Sequence, residues 1–464
     1  MDQENREGNE GGAQEASRDE RASEAAPQTA SSDPREEASC DDDEPVGGSE
    51  RGRSDLGHDE VESVHEEGSE GPTPPSSQTY LHNLAFNQDC TCFALATSED
   101  FRSFTLSPLA EVSRRRPGGV NVAAMLFQTN YLAIVTKAAP YKVQLWDDHL
   151  GVTTCELWSR FEVLNVVLRR DVVVVVSEYK IYVYEFGNSF PVLLFLETCS
   201  NPRGVCALCP AGADWVLAAP SSVRGSIRIQ RGLDDSVSCT VEAHSNSIAA
   251  LGTNSSGTLV ASASEVGTVI KIFSSIDGSL LFEFRRGSTS TQISSLAFRA
   301  DSLFLAVGSA NQTVHVFRLN DGSGSYAAKL AGRIAEWTGG SPQLSESPLT
   351  DSGHSSRSNS LLPKSLPKYF QSSRAFALFK ISDAGDLRLK GSVISGPLAC
   401  FSKTHPNHLF IVHSNGLLYE VTFDEQRVEY GQDCALVGAS AFFQARPEFT
   451  VGAPVEIDDV WEVI

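Results

Sequence analysis

Short apolar alternations dominate the chain from Thr79 onward. Stretches such as YLHNLAF, YLAIVTK, KVQLWDD and LFLAVGS are rich in Val, Ile, Leu, Phe and Tyr, and they are bounded by Gly, Asn, Asp or Ser. An alternation of period two between turn-forming residues is typical of half-buried β-strands. No sustained helical stripe occurs in this region outside one long insertion. The pattern predicts an all-β domain of many short strands, as in a sandwich, a barrel or a propeller.

Internal repetition favours the propeller. Residues 247–284 align with residues 292–319, and in both a strand that ends in Ser precedes a Thr-Val pair that opens the next strand. The two threonines, Thr268 and Thr313, are 313 − 268 = 45 residues apart, which is the period of a four-stranded WD-type blade. Trp146 and Asp147 close KVQLWD, which predicts a third strand of another blade. Dividing residues 79–440 by this period, after one long insertion (residues 320–368) is removed, predicts about seven blades, although the count alone leaves six or eight open.

One insertion, residues 320–368, interrupts the repeat between a third strand (TVHVFRL) and a candidate fourth strand (RAFALFKI). Connections within a blade ordinarily need two to five residues, so a loop of this length is functional or disordered. Its middle is rich in Ser, Pro and Gly, and its ends carry Lys, Arg and large apolar side chains. Such ends suit an interfacial membrane segment, whereas the middle suits a plain disordered loop. The apolar candidates for membrane insertion are Tyr326, Leu330, Ile334, Trp337, Leu361, Leu362 and Leu366.

Charge divides the chain into two parts. Residues 1–78 hold 23 acidic and 6 basic residues, a net charge of −17, whereas the remainder carries −22 + 17 = −5. The acidic part has too little apolar surface to offset chain entropy, so we expect a disordered extension before the propeller and a short tail at residues 441–464 after it. No run of eighteen apolar residues predicts a transmembrane helix. The acidic start of the sequence argues against a signal peptide, so we expect a cytosolic protein with reduced cysteines.

The stretch FEFRRGSTST places Arg285 and Arg286 at the end of a predicted fourth strand. Successive side chains on a strand point to opposite faces, so the two guanidinium groups are predicted to serve two separate anions. Gly287 is expected to allow a backbone turn there. Hydroxyl, imidazole and ammonium donors occur at matching positions of the repeats on either side. A solvated or ion-paired surface pair is the simpler alternative for two adjacent arginines.

These residues resemble the PROPPIN family of phosphoinositide-binding propellers. The resemblance rests on FRRG between ASASEVGTVIKIF and the Ser-Thr-His strand, and on KVQLWDDHLG, NPRGVCAL, EAHSNSIAAL and LPKYF. It implies a seven-bladed propeller with two headgroup pockets. The first pocket would use Arg285, His244, Ser262, Ser264, Thr268 and Lys271, and the second would use Arg286, Ser309, Thr313 and His315. It also implies that the long loop of the sixth blade, here 320–368, inserts into membranes.

Two positions depart from the family pattern. Lys271 stands where the family usually has Arg, which keeps the charge but loses the planar fork. The second pocket reads Ser309-Ala-Asn-Gln-Thr313 where the family usually has a sequence like S-D-K-G-T. We therefore expect the second pocket to bind more weakly.

The resemblance further implies recognition of phosphatidylinositol 3-phosphate and 3,5-bisphosphate by an effector or scaffold of autophagosome formation. Its implied partners are phosphoinositide-containing membranes and the autophagy machinery, including a lipid-transfer protein. Its implied place is the cytosol, with recruitment to preautophagosomal, endosomal or vacuolar membranes. A WD-repeat scaffold that binds only proteins remains the alternative.

Other functional classes find little support in the residues. The chain contains no G-x-S-x-G, no P-loop and no cluster with metal-ligand spacing, so we expect no enzyme, no cofactor and no metal. Cys206 and Cys209 have CxxC spacing, but no second pair at zinc spacing accompanies them, so we interpret them as buried strand residues. An isoelectric point near 4.9 argues against nucleic acid as a partner.

Overall fold

The structure is a computed structural model that describes residues 79–187, 189–319, 374–382 and 396–443. The acidic extension 1–78, the insertion 320–368 with its seven apolar candidates, and residues 444–464 lie outside the described residues.

The described chain is built almost entirely of strands, with one 3₁₀ turn at Asp235–Val237. No helix in these parts of the chain is long and apolar enough to cross a membrane. The strands of the first half are β1 (Leu81–Phe86), β2 (Cys92–Thr97), β3 (Phe101–Leu106), β4 (Leu109–Arg115), β5 (Val120–Met125), β6 (Tyr131–Thr136), β7 (Lys142–Asp147), β8 (Val152–Trp158), β9 (Asn165–Leu168), β10 (Val172–Val176), β11 (Lys180–Glu185), β12 (Val192–Glu197), β13 (Ala207–Leu208) and β14 (Val216–Pro220). Those of the second half are β15 (Ser226–Arg231), β16 (Cys239–Glu242), β17 (Ile248–Thr253), β18 (Leu259–Ser264), β19 (Val269–Ser274), β20 (Leu280–Arg285), β21 (Ile293–Phe298), β22 (Phe304–Ser309), β23 (Thr313–Arg318), β24 (Ala377–Lys380), β25 (Leu398–Phe401), β26 (His408–Val412), β27 (Leu417–Thr422), β28 (Gln432–Asp433) and β29 (Ala435–Ala441).

These strands form seven antiparallel sheets, one for each blade of a β-propeller. Each blade takes four strands in chain order: β1–β4, β5–β8, β9–β12, β13–β16, β17–β20, β21–β24, and finally β25–β27 with β29. The predicted all-β, seven-bladed propeller is confirmed. The aligned repeats are the fifth and sixth blades, and Trp146 lies in the third strand of the second blade, as the sequence predicts.

Burial explains the sequence pattern of each blade. Second strands such as β10, which is Val172–Val176, are buried along their whole length because neighbouring blades cover both faces. They read as continuous apolar or small residues rather than as an alternation. Fourth strands such as β8 (Val152–Trp158) lie at the outer edge and keep an alternation of exposed and half-buried residues.

The core consists of apolar clusters between neighbouring blades rather than one central mass. Leu217 and Ala219 of the fourth blade pack with Val174 of the third, and Phe284 of the fifth blade packs with Phe317 of the sixth at 4.9 Å between ring centroids. Each blade is therefore held mainly by the two beside it, which fixes the faces of the fifth and sixth blades against each other.

The sixth blade continues across the long insertion. β23 pairs with β24 from Thr313↔Lys380 to Val316↔Ala377, so the candidate fourth strand RAFALFKI is confirmed. A fifth strand, β28, adds to its edge in parallel through Ala377↔Gln432. This strand belongs in sequence to the connection between β27 and β29 of the seventh blade, and the sequence pattern did not predict it.

Candidate functional site

The end of β20 presents its two arginines to different surroundings. Arg285 pairs with Val269, and Glu283 pairs with Lys271, so Arg285 and Lys271 lie on one face of the fifth blade. Arg286 follows the strand; its backbone N–H donates to Thr268 O at 2.9 Å, and its Nε donates to Gly267 O at 3.0 Å. The assignment of the two side chains to two separate anions stays a prediction.

The first donor set gathers on the face of Arg285. Ser262 pairs with Lys271 across β18 and β19, and its Oγ lies 3.0 Å from His244 Nε2. Lys271 Nζ donates to Ala243 O at 2.8 Å, which ties the ammonium group to the segment that carries His244. Ser264 follows Ser262 by two residues and therefore lies on the same face. An imidazole, two hydroxyls and two cations thus share one side of the blade.

Thr268 lies immediately before β19. Its backbone carbonyl accepts the backbone N–H of Arg286 at 2.9 Å. Thr268 therefore links the turn of the fifth blade to the second arginine.

The second donor set lies in the sixth blade beside Arg286. Ser309 pairs with Thr313, their hydroxyl oxygens lie 2.8 Å apart, and Thr313 Oγ1 is 3.4 Å from His315 Nε2. Burial first, and then the positive charge of Arg286, lowers the pKa of His315. Ser309, Thr313 and His315 therefore form one connected donor set on the sixth blade, whose imidazole feels the charge of Arg286.

The electrostatics of both sets suit an anion. Lys271 and Arg286 donate to backbone carbonyls, and among the described residues neither makes an ion pair with a carboxylate. Burial lowers the pKa of Arg286 from its ordinary value. Burial and Lys271 lower the pKa of His244 to about 4, and burial and Arg286 lower that of His315 to about 4. Each set is thus a half-buried cationic donor group that a phosphate would neutralise.

Two equivalent turns connect second and third strands at these sets. Gly267 has a φ of 62°, and Gln312 has a φ of 60° at the matching position of the sixth blade. A side chain in this left-handed region is strained, so glycine is the favoured residue at both turns. Gln312 keeps the same backbone conformation as Gly267, and its side chain makes that turn strained.

Gly287 does not have the role that the sequence suggested. Its φ lies outside the left-handed region, and an added Cβ would meet no atom within 4 Å. The expectation that this position needs glycine for a special turn is wrong, because the backbone bends there in a conformation open to other residues. Glycine at 267 carries that requirement instead.

Several groups in the site were not among the residues predicted from the sequence. The carbonyls of Ala243, Gly267 and Thr289 hold Lys271 and Arg286, and backbone acceptors carry no signal in side-chain identity. Glu283 shares the face of Lys271 and Arg285. Its place could have been found from the alternation FEFR, since Glu283 and Arg285 are two residues apart.

The two histidines predict a specific acid sensitivity. Their pKa values of about 4 in the folded protein lie below the ordinary 6.5, so their contribution to stability is complete above pH 6.5 and is lost as pH falls towards 4. We expect His244→Gln and His315→Gln each to reduce the loss of unfolding free energy between pH 7 and pH 4 by up to about 3 kcal/mol. Urea unfolding at a series of pH values measures this difference. Equal acid sensitivity in wild type and variants would contradict it, and His149→Gln is a control in the second blade.

Comparison with known proteins gives a consistent result. The PROPPIN family profile matches residues 80–441. Autophagy-related protein 18 of Mycosarcoma maydis is 31% identical over 437 residues, which cover 78% of this chain and 93% of that protein. WD repeat domain phosphoinositide-interacting protein 1 of Homo sapiens is 29% identical over 374 residues, which cover 78% of this chain and 77% of that protein.

A solved structure supports the architecture. Kluyveromyces lactis Hsv2 with its complete loop 6CD superimposes with a TM-score of 0.59 at 24% sequence identity, over 79% of this chain and 100% of that chain. At this identity the likeness concerns the fold.

Proposed function

This chain belongs to the PROPPIN family, and on that premise we propose that it is a phosphoinositide-binding peripheral membrane propeller that acts as an effector or scaffold in autophagosome formation. The observation that carries the proposal is the pair of arginines at the end of β20. Two observations support a separate donor set for each: the strand register puts Arg285 on the face of the fifth blade that carries Lys271 and Ser262, and the charge of Arg286 acts on His315 of the sixth blade.

The first pocket would hold one inositol phosphate headgroup through Arg285, Lys271, Ser262, Ser264 and His244. Lys271 Nζ uses one of its donors on Ala243 O and keeps others for a phosphate oxygen. Ser262 Oγ already lies 3.0 Å from His244 Nε2, so the hydroxyl and the ring form one preassembled donor group. Thr268 completes the pocket as part of the turn that carries Gly267.

The second pocket would use Arg286, Ser309, Thr313 and His315. The guanidinium group donates its Nε–H and one terminal N–H to backbone carbonyls, so these two donors are not available to a ligand. The second pocket also departs from the family pattern at Ala310, Asn311 and Gln312. We therefore infer that the second pocket is the weaker of the two. Phosphatidylinositol 3-phosphate and 3,5-bisphosphate are the proposed ligands of both.

Membrane attachment would combine these contacts. A charge-assisted hydrogen bond contributes about 1.5–3 kcal/mol, so one shallow pocket binds weakly. Two pockets and the loop 320–368 act on the same bilayer, and their affinities combine through effective concentration. Because residues 79–464 carry a net charge of only −5, selectivity would rest on the pockets rather than on general attraction to an anionic surface.

The acidic extension leads to a testable expectation. Its charge of −17 is repelled by an anionic membrane, so deletion of residues 1–78 is expected to raise vesicle affinity by about 3–10-fold at low salt. The gain should shrink at 0.5 M salt. Co-sedimentation with vesicles at both salt concentrations measures it. If the affinity at low salt is unchanged, the extension does not weaken vesicle binding.

Once attached, the propeller would leave most blade faces available to proteins. We propose that it recruits autophagy machinery, including a lipid-transfer protein, from the cytosol to preautophagosomal, endosomal or vacuolar membranes. This part rests on family membership alone.

The experiment that tests the proposed function is vesicle co-flotation of the purified chain. Vesicles with phosphatidylinositol 3-phosphate are compared with vesicles that carry the same amount of unphosphorylated phosphatidylinositol. The proposal predicts flotation with the phosphorylated lipid only. A folded protein that floats with neither would favour the alternative, a WD-repeat scaffold that binds proteins but no lipid.

A further inference from the structure

The ring closes between the seventh and first blades through side chains. The first blade consists of β1–β4 and the seventh of β25–β27 and β29, so within residues 79–443, as far as the structure describes them, no strand from one end completes the sheet at the other end. Phe442 packs edge-on against Phe93 at 5.2 Å and against Phe104 at 5.9 Å between ring centroids. The closure of the propeller therefore depends on this seam.

Two cysteines face each other across the seam. Cys90 lies in the turn between β1 and β2, and Cys400 lies in β25. Burial first, and then the neighbouring Cys90 thiol, raises the pKa of Cys400. Both belong to the apolar cluster that joins the two blades. The residues beside them are tied as well, because Lys403 Nζ lies 2.9 Å from Asp89 Oδ2. The fold thus brings both cysteines to the same part of the seam.

The backbone does not account for cysteine at position 90. Cys90 has a φ of 56°, in the left-handed region that favours glycine or asparagine. Cys90 thus occupies a strained turn position on the seam that also contains Cys400.

We propose that Cys90 and Cys400 form a reversible disulfide when the protein meets a hydroperoxide, and that this bond locks the seam between the first and last blades. The thiolate of Cys90 attacks the peroxide oxygen, which yields a sulfenic acid and releases water after protonation of the leaving oxygen. The sulfur of Cys400 then attacks the sulfenic sulfur, the S–S bond forms, and a second water leaves. Two thiols are oxidised and one peroxide is reduced to two waters, so the step balances.

The order of attack follows from exposure. Cys90 is partly exposed, whereas Cys400 is 2% exposed. Burial, the Cys90 thiol and the nearby Asp89 carboxylate raise the pKa of Cys400 well above its ordinary value, so Cys400 stays a thiol. Asp89 and Lys403 are the charged groups at this point of the seam, and they pair with each other. Cys90 therefore reacts first and Cys400 resolves the intermediate.

The bond would link positions near the two ends of the propeller. Residues 90 and 400 enclose most of the seven blades, and a cross-link over so long a segment restricts the unfolded chain strongly. Oxidation should make the ring harder to open without touching the arginine sites of the fifth and sixth blades.

The test oxidises the purified full-length chain with hydrogen peroxide, blocks free thiols with N-ethylmaleimide and maps linked peptides by mass spectrometry. We expect one intramolecular Cys90–Cys400 link, a rise in Tm of at least about 5 °C, and reversal of both by dithiothreitol. Cys90→Ser should remove the link and the Tm shift. Cys155→Ser, a partly exposed cysteine of the second blade, should keep both.

Three results would overturn the proposal. These are sulfinic acid at Cys90 without a link to Cys400, a link that joins other cysteines or two chains, and a Tm shift that persists in Cys90→Ser. Cys400→Ala serves as a second variant and should also remove the link. If this buried substitution prevents folding, the result for Cys90→Ser decides the test.

Discussion

Arg285→Thr/Arg286→Thr is expected to weaken binding to vesicles with phosphatidylinositol 3-phosphate by at least about 100-fold. Each arginine supplies charge-assisted hydrogen bonds of about 1.5–3 kcal/mol to its own headgroup, and 1.4 kcal/mol corresponds to a factor of ten in affinity. The two losses act together because both pockets contact one membrane. Co-flotation over a series of lipid concentrations measures the change.

A matched control separates site chemistry from general charge. Arg114→Thr/Arg116→Thr also removes two positive charges near the end of a fourth strand, where Arg114 forms an ion pair with Glu111 on a half-buried surface. This control should keep vesicle binding within about twofold. Equal losses in both double variants, with unchanged Tm, would assign the binding to net charge rather than to the pockets.

Gly267→Ala is expected to lower the unfolding free energy by about 2–4 kcal/mol. Gly267 has a φ of +62°, and a Cβ would stand 1.9 Å from Thr291 O, at the start of the sixth blade. The chain must move there, and the carbonyl that holds Arg286 moves with it. Urea unfolding gives the stability change, and a loss below about 1 kcal/mol would contradict the close approach of the two blades.

At the equivalent turn of the sixth blade, the reverse substitution, Gln312→Gly, is expected to raise the free energy of unfolding. Gln312→Gly relieves a side chain at a φ of 60° whose buried Oε1 lacks a hydrogen-bond partner among the described residues. We expect a gain of up to about 1 kcal/mol in unfolding free energy. Destabilisation by this substitution would mean that the glutamine side chain supports the turn.

Much of the fold was predictable because each blade repeats the same pattern of a buried second strand, a turn and a third strand. The 45-residue offset between Thr268 and Thr313 identified two blades, since both turns join a buried second strand to a third strand. Strand alternation alone places Arg285 on the same face as Glu283, and the register agrees. Local periodicity therefore determined the architecture, whereas the division of the candidate site between the two arginines stays a prediction.

The remaining features depend on contacts between distant segments. β28 is only two residues long, and its parallel pairing with β24 arises because the connection from the seventh blade reaches the edge of the sixth. The contact of Cys90 with Cys400 depends on closure of the ring. The two preceding arginines suggested that Gly287 allows a special backbone turn. Glycine is required instead at position 267, where a Cβ would collide with the carbonyl oxygen of Thr291 at the start of the sixth blade. No single stretch of sequence carries these signals.

The most direct test of the central claim counts binding sites for the soluble headgroup of phosphatidylinositol 3-phosphate. Isothermal titration of the full chain with inositol 1,3-bisphosphate should give two equivalents, a tighter and a weaker one. Arg285→Thr should lose the tighter site, Arg286→Thr the weaker one, and the double variant both. A single equivalent in the wild type, or loss of both sites in either folded single variant, would contradict two pockets served by separate arginines.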